Sequence, residues 1–151
     1  LFSIPVTNII VHNMKNIKHA EIVALCDDYE PNLQAAKDLC PGAKTYKDYR
    51  KLLEDPNIDA VVISTPLNWH APMVLDSLAA GKHTFCEKSM ALTMEECKAI
   101  YDAYLKTDKV LYFGMQRLFD EKYVKALQMV HQGVIGDIVG MRCHWFRNHD
   151  W

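Results

Sequence analysis

Glu87 and Lys88 stand side by side in Thr84-Phe85-Cys86-Glu87-Lys88-Ser89, at the end of an apolar run and just ahead of a helix start marked by Thr93 and Glu96. α/β proteins gather their working groups at the carboxyl ends of parallel strands, in the crevice beyond the sheet. A lysine held there can meet a substrate hydroxyl and a cofactor together, its ammonium stabilising negative charge on oxygen. The competing reading is a solvated Glu-Lys pair in a loop, which contributes little.

Asp27 is a second acidic residue at a strand end, directly after the apolar run Glu21–Cys26. In a dinucleotide-binding βαβ unit, an acidic residue at the end of the second strand accepts hydrogen bonds from the ribose hydroxyls. Its charge also repels a 2′-phosphate, so Asp27 favours NAD over NADP. The alternative is that Asp27-Asp28 merely opens a turn. The glycine fingerprint that accompanies such an acid should lie ~20 residues earlier. No glycine precedes Gly42, and Phe2-Ser3-Ile4-Pro5-Val6-Thr7 occupies the place. Without glycine the backbone cannot readily make the tight turn or approach a pyrophosphate closely. The expectation is a first strand and glycine loop that are missing or aberrant, followed by a helix over roughly Asn8 to Lys18.

The elements that must position these groups are legible in outline. Glu21–Cys26, Ala60–Ser64, His83–Cys86 and Val110–Gly114 read as strands. Continuous rather than alternating apolarity suits parallel strands covered on both faces. Between them, His70 to Ala80 reads as a helix with Pro72 near its start and Gly81 past its end. Thr93 and Glu96 form a capping box for Met94 to Lys106, whose stripe Cys97, Ile100, Tyr101 and Tyr104 is expected in the core. Asp120 caps a helix through Met129 or His131, closed by Gly133. Strand and helix in short alternation predict an α/β fold, a doubly wound parallel sheet. From Asp137 to Arg147 the polarity is mixed, as in the opening strand of a second, antiparallel sheet. The predicted division is 1–136 as a dinucleotide-binding domain and 137–151 as the beginning of a substrate and oligomerisation domain.

With 151 residues, half of them hydrophobic, and a net charge of −2, the composition is that of an ordinary globular domain. No basic block points to nucleic acid, and no apolar run approaches the ~20 residues of a membrane span. Five cysteines without a CxxC argue against a disulfide framework, and Cys26 and Cys86 read as small core residues. A reducing, cytoplasmic compartment is the simplest inference, although an export signal would lie before Leu1. The seven histidines show no HExxH or other metal-ligand spacing, so no metal is expected.

Several segments, in order, resemble the glucose–fructose oxidoreductase / inositol dehydrogenase (Gfo/Idh/MocA) family of NAD(P)-dependent oxidoreductases. They are Glu-Ile-Val-Ala-Leu-Cys-Asp at 21–27, Ile-Ser-Thr-Pro-Leu-Asn-Trp-His at 63–70, and Ala-Gly-Lys-His-Thr-Phe-Cys-Glu-Lys-Ser at 80–89. Gly-Met-Gln-Arg-Leu-Phe-Asp at 114–120 and Gly-Val-Ile-Gly-Asp-Ile at 133–138 continue the set. The resemblance implies a Rossmann-type fold. It implies that Lys88 is the lysine of the family's Glu-Lys-Pro motif, facing both substrate hydroxyl and nicotinamide, and that Glu87 helps place the cofactor. It also implies that Ser64, Thr65, Pro66, Asn68 and His70 form the loop that packs on the dinucleotide, and that Gln116 lies near the nicotinamide. Read from the residues alone, His70 could equally cap the helix it opens, Asn68 could form a turn, and Gln116 could be surface. Ser89 stands where the family has proline. The family's acid/base pair, an Asp and a His, lies beyond the matched stretch.

The sequence therefore predicts an NAD-dependent oxidoreductase acting on a sugar, polyol or related hydroxyl compound, homo-oligomeric at full length. The 151 residues alone are expected to be inactive. The alternatives are a non-catalytic Rossmann-fold fragment or assembly module, and an NAD-dependent glycoside hydrolase of the same superfamily.

Overall fold

Short parallel strands alternate with helices along the first part of the chain. β1 (Ala24–Cys26) pairs with β2 (Lys44–Tyr46), and β3 (Ala60–Ile63), β4 (His83–Glu87) and β5 (Leu111–Gly114) form a second sheet in that order. Both sheets are parallel throughout, and the register sets Ile63 beside Cys86 and Glu87 beside Gly114. The intervening helices are α1 (Glu30–Leu39), α2 (Tyr49–Leu53), α3 (His70–Ala79) and α4 (Met94–Tyr104), with a 3-10 turn at Leu67–Trp69 leading into α3. The computed structural model describes residues 11, 12, 14, 16–115, 117–144 and 146, in two compact units, Leu1–Met115 and Gln116–Trp151. The second unit carries α5 (Glu121–His131), capped by Asp120, whose side chain accepts the Lys122 N–H at 2.9 Å. No helix among the described residues is long and apolar enough to cross a membrane.

The α/β architecture follows from where each element places its apolar side chains. Ala71, Val74 and Leu78 recur at helical spacing on α3 and pack on Ile63 of β3, Cys86 of β4 and Ile100 of α4. Val74 and Cys86 are wholly buried, and burial of such a side chain is worth about 1.5–3 kcal/mol. A second cluster joins Leu25 of β1 to Leu33, Ala36, Cys40, Ala43 and Val11. α1 starts at a first-turn proline, Pro31, and buries Leu33 and Ala36, three residues apart. The α4 capping box is complete: Thr93 Oγ1 accepts the Glu96 N–H at 3.2 Å, and Glu96 Oε2 accepts the Thr93 N–H at 3.2 Å. Gly81, at φ +70°, ends α3 in the left-handed conformation that glycine adopts without steric cost.

The structure corrects the sequence reading at several points. β2, α1 and α2 were not predicted. Cys26 is exposed rather than in the core, because alternation along β1 turns it to the face opposite the buried Leu25. On α4 only Ile100 of the proposed stripe is fully buried, and Tyr101 is 59% exposed. The helix thus presents Ile100 and the partly buried Ala103 to the core, a face rotated away from the tyrosines. The described residues from 137 to 144 join no sheet and are exposed. The strand expected from Asp137 has no neighbouring strand among the described residues to pair its backbone groups. Residues 11, 12 and 14 are helical, in keeping with the helix predicted from Asn8, whereas Leu1 to Pro5 and Gln116 lie outside the described residues.

Candidate active site

β4 ends at Glu87, and the chain turns there into Lys88 and Ser89, both exposed. The burial of β4 alternates: Thr84 and Cys86 face the core, while His83, Phe85 and Glu87 are half-buried on the other face. Burial, reinforced by the neighbouring Glu87 charge, pushes the Cys86 thiol up to about 12. Cys86 is therefore a packing residue rather than a nucleophile. Glu87 does not pair with the Lys88 ammonium among the described residues. Its Oε2 instead accepts the Lys88 backbone N–H at 3.3 Å.

Across the sheet, Gly114 at the end of β5 leaves room for this arrangement. A Cβ there would lie 2.8 Å from Phe85 Cζ and 3.3 Å from Glu87 Oε1. The Phe85 ring is itself stacked on Tyr112, with centroids 5.8 Å apart. The sequence shows Gly114 as the end of a strand and the start of the family-like segment 114–120. Its signal was a glycine closing an apolar run, the mark of a close approach.

The loop after β3 meets the loop after β4 through His70. The imidazole is 1% exposed, with Nδ1 2.6 Å from the Ser89 carbonyl oxygen and Nε2 3.0 Å from that of Thr65. A neutral imidazole has one N–H and donates to one of these oxygens, whereas the imidazolium donates to both. The ring caps no helix: the residue flanking α3 is Trp69, and its side chain makes no capping bond. Ser64 and Thr65 are half-buried, Pro66 and Asn68 exposed. The Pro66 carbonyl accepts the Trp69 N–H at 2.8 Å, and the Thr65 hydroxyl contacts Met73 Sδ at 3.5 Å. The structure thus brings Thr65, His70 and Ser89 together, with Lys88 adjoining.

Asp27 directly follows β1, in the other sheet. Its Oδ1 accepts the Tyr29 N–H at 2.8 Å and its Oδ2 the Asn32 side-chain amide at 3.3 Å. Asp27 does open a turn. A carboxylate has about four acceptor positions, so these bonds leave capacity for a ribose hydroxyl.

The sequence profile described as "Oxidoreductase family, NAD-binding Rossmann fold" matches residues 8–115, which include all of these groups. The chain belongs to the Gfo/Idh/MocA oxidoreductase family. Its described sheets are those of the family's Rossmann-like NAD-binding fold. Among curated relatives, it is 36% identical over 124 residues to a myo-inositol 2-dehydrogenase of Thermotoga maritima, covering 82% of this chain and 37% of that protein. It is 34% identical over 150 residues to a glycosyl hydrolase family 109 protein of Shewanella baltica, covering 93% of this chain and 33% of that one. Among solved structures, the scyllo-inositol dehydrogenase of Lactobacillus casei with bound NAD(H) and scyllo-inositol superposes with a TM-score of 0.81 at 31% identity. That match covers 88% of this chain and 40% of the solved one. The chain thus spans well under half the length of these relatives.

Proposed function

We propose that the full-length protein is an NAD-dependent oxidoreductase acting on a sugar or polyol, with cyclic polyols of the inositol type the first to test. The observation that carries this reading is the position of Lys88: exposed at the carboxyl end of β4, beside the loop from Ser64 to His70, with its ammonium not paired to Glu87. The dehydrogenase relatives and the inositol bound in the Lactobacillus casei enzyme support the substrate class.

Bound NAD would accept hydride at nicotinamide C4. Lys88 would hold the carbinol oxygen by a charge-assisted hydrogen bond, which strengthens as hydride leaves the carbon and negative charge builds on that oxygen. The hydroxyl proton passes to a base that the family resemblance places C-terminal to the matched stretch. Glu87, Ser64, Thr65, Pro66 and Asn68 would form the cofactor's bed, Gln116 would lie near its nicotinamide, and Asp27 would accept from the adenosine ribose. Asp27 suits NAD, since its charge repels a 2′-phosphate. A dinucleotide laid across the carboxyl ends of β1, β3 and β4 would meet these residues. With no glycine before Gly42, the 151 residues alone are expected to bind NAD weakly.

The domain division at 136–137 and a homo-oligomeric assembly belong to the same proposal. A second reading, NAD-dependent glycoside hydrolysis, is favoured by the family 109 relatives, which match over 150 residues. Incubating the full-length gene product with NAD and either inositols or aryl glycosides separates the two. Net NADH formation supports the dehydrogenase. Release of the aglycone without net NADH supports the hydrolase.

A further inference from the structure

We propose that His70 is a positioning residue, a buried clamp that fixes the Lys88 segment against the loop after β3. The proposal rests on the reading of Lys88 given above.

The Lys88–Ser89 segment is exposed, and a lysine on a solvated turn would sweep many orientations. A lysine that stabilises charge on one oxygen must be held far more closely, since a displacement of about 1 Å can cost on the order of 100-fold in rate. β4 fixes the chain only as far as Glu87, where its pairing with β5 ends. Beyond that point the Ser89 carbonyl is tied back to the core, through a ring that is 1% exposed. The other ring nitrogen lies 3.0 Å from the Thr65 carbonyl oxygen, so the imidazolium, which donates at both nitrogens, cannot follow one loop without pulling on the other. The base of the ring is fixed in turn, because His70 opens α3, whose Ala71 and Val74 are in the core. With both nitrogens facing backbone carbonyls at hydrogen-bond distance, His70 acts on bound molecules through Thr65 and Ser89 rather than by touching them.

Two substitutions separate the two bonds. In His70→Asn the side-chain amide takes the place of Nδ1 and can still donate to Ser89. In His70→Gln it takes the place of Nε2 and can still donate to Thr65. The full-length gene product carrying each variant, with His70→Ala and Lys88→Met beside them, is compared by backbone hydrogen exchange over residues 87–91 and by NAD-linked turnover of an inositol. The clamp predicts faster exchange in the Ala and Gln variants and near wild-type exchange in the Asn variant. It predicts a kcat lowered roughly tenfold or more for Ala and Gln and largely restored for Asn. The thermal midpoints of the Asn and Gln variants should lie close together, which excludes a general loss of packing as the cause. Equal exchange and equal kcat in the Asn and Gln variants would overturn it. So would unchanged exchange in His70→Ala. If the wild type shows no NAD-linked turnover, or Lys88→Met leaves turnover intact, the functional reading fails, and the exchange measurement still decides the clamp.

Discussion

Glu87 and Gly114 lie opposite each other at the ends of β4 and β5, and the missing Cβ of Gly114 is what lets the Glu87 side chain lie across the neighbouring strand. At 2.8 Å, a methyl group would overlap Phe85 Cζ, and the stacking of that ring on Tyr112 restricts its retreat. Gly114→Ala should destabilise the protein by about 1–3 kcal/mol, the ordinary cost of overpacking, read as a lower urea midpoint. Because the same methyl group would crowd the Glu87 carboxylate, NAD affinity of the full-length protein should fall with it. Undiminished stability would show that the sheet yields at this point.

Lys82 is buried, and its ammonium donates to the carbonyls of Asp55 at 2.9 Å and Ile58 at 2.7 Å, pinning the turn that feeds β3 to the entrance of β4. Lys82→Met keeps most of the aliphatic packing and leaves the two oxygens without this donor. The expected loss is about 1–3 kcal/mol, the penalty for an unmade buried hydrogen bond, measured by urea unfolding. No change would mean that water replaces the ammonium.

Asp55 contributes to the acid response. The hydrogen bond from Lys44 at 2.7 Å, then the Asn57 backbone N–H and the Tyr46 hydroxyl, hold its carboxyl well below the usual carboxylate range. A carboxylate lowered in the folded state contributes stability above its unfolded value of ~3.9 and loses it as pH falls towards the folded value. Unfolding free energy should therefore decline below about pH 4. Asp55→Asn should be less stable at neutral pH and show a shallower decline. Parallel acid limbs in the two proteins would refute this assignment.

The proposed preference for NAD is testable at Asp27 without losing its turn. Asp27→Asn keeps an oxygen for the Tyr29 N–H and removes the charge. In the full-length protein, discrimination against NADP should weaken by about an order of magnitude, the worth of a hydrogen bond to a charged group. An unchanged NAD-to-NADP ratio would place cofactor selection elsewhere.

The features legible in the sequence were those written in a few adjacent residues. The Thr93–Glu96 capping box, the Asp120 cap and the glycine ending α3 each depend on one turn of chain, and each is present. β3, β4 and β5 were visible as apolar runs. β2, Lys-Thr-Tyr, was not, because three largely polar residues carry no pattern and become a strand only by pairing with β1. α2 is five residues long, its start marked only by the Asp48 cap. α1 did carry signals, Pro31 and the Leu33–Ala36 spacing, which were passed over. Cys26 was misplaced because a nearly continuous apolar run does not say which side chains face in. The candidate site was legible as a set of residues and not as an arrangement. Nothing local to His70 indicates that its ring meets the carbonyl of Ser89, nineteen residues away. That Glu87 turns to its neighbour's backbone rather than to the ammonium is equally invisible in an adjacent Glu-Lys pair.

NADH formation from an inositol by the full-length gene product, wild type against Lys88→Met, tests the role of Lys88 most directly. Removing an ammonium that stabilises charge in the transition state should lower kcat by about 100- to 1,000-fold, with a far smaller effect on NAD affinity and on the thermal midpoint. Wild-type turnover in a folded Lys88→Met protein would contradict it.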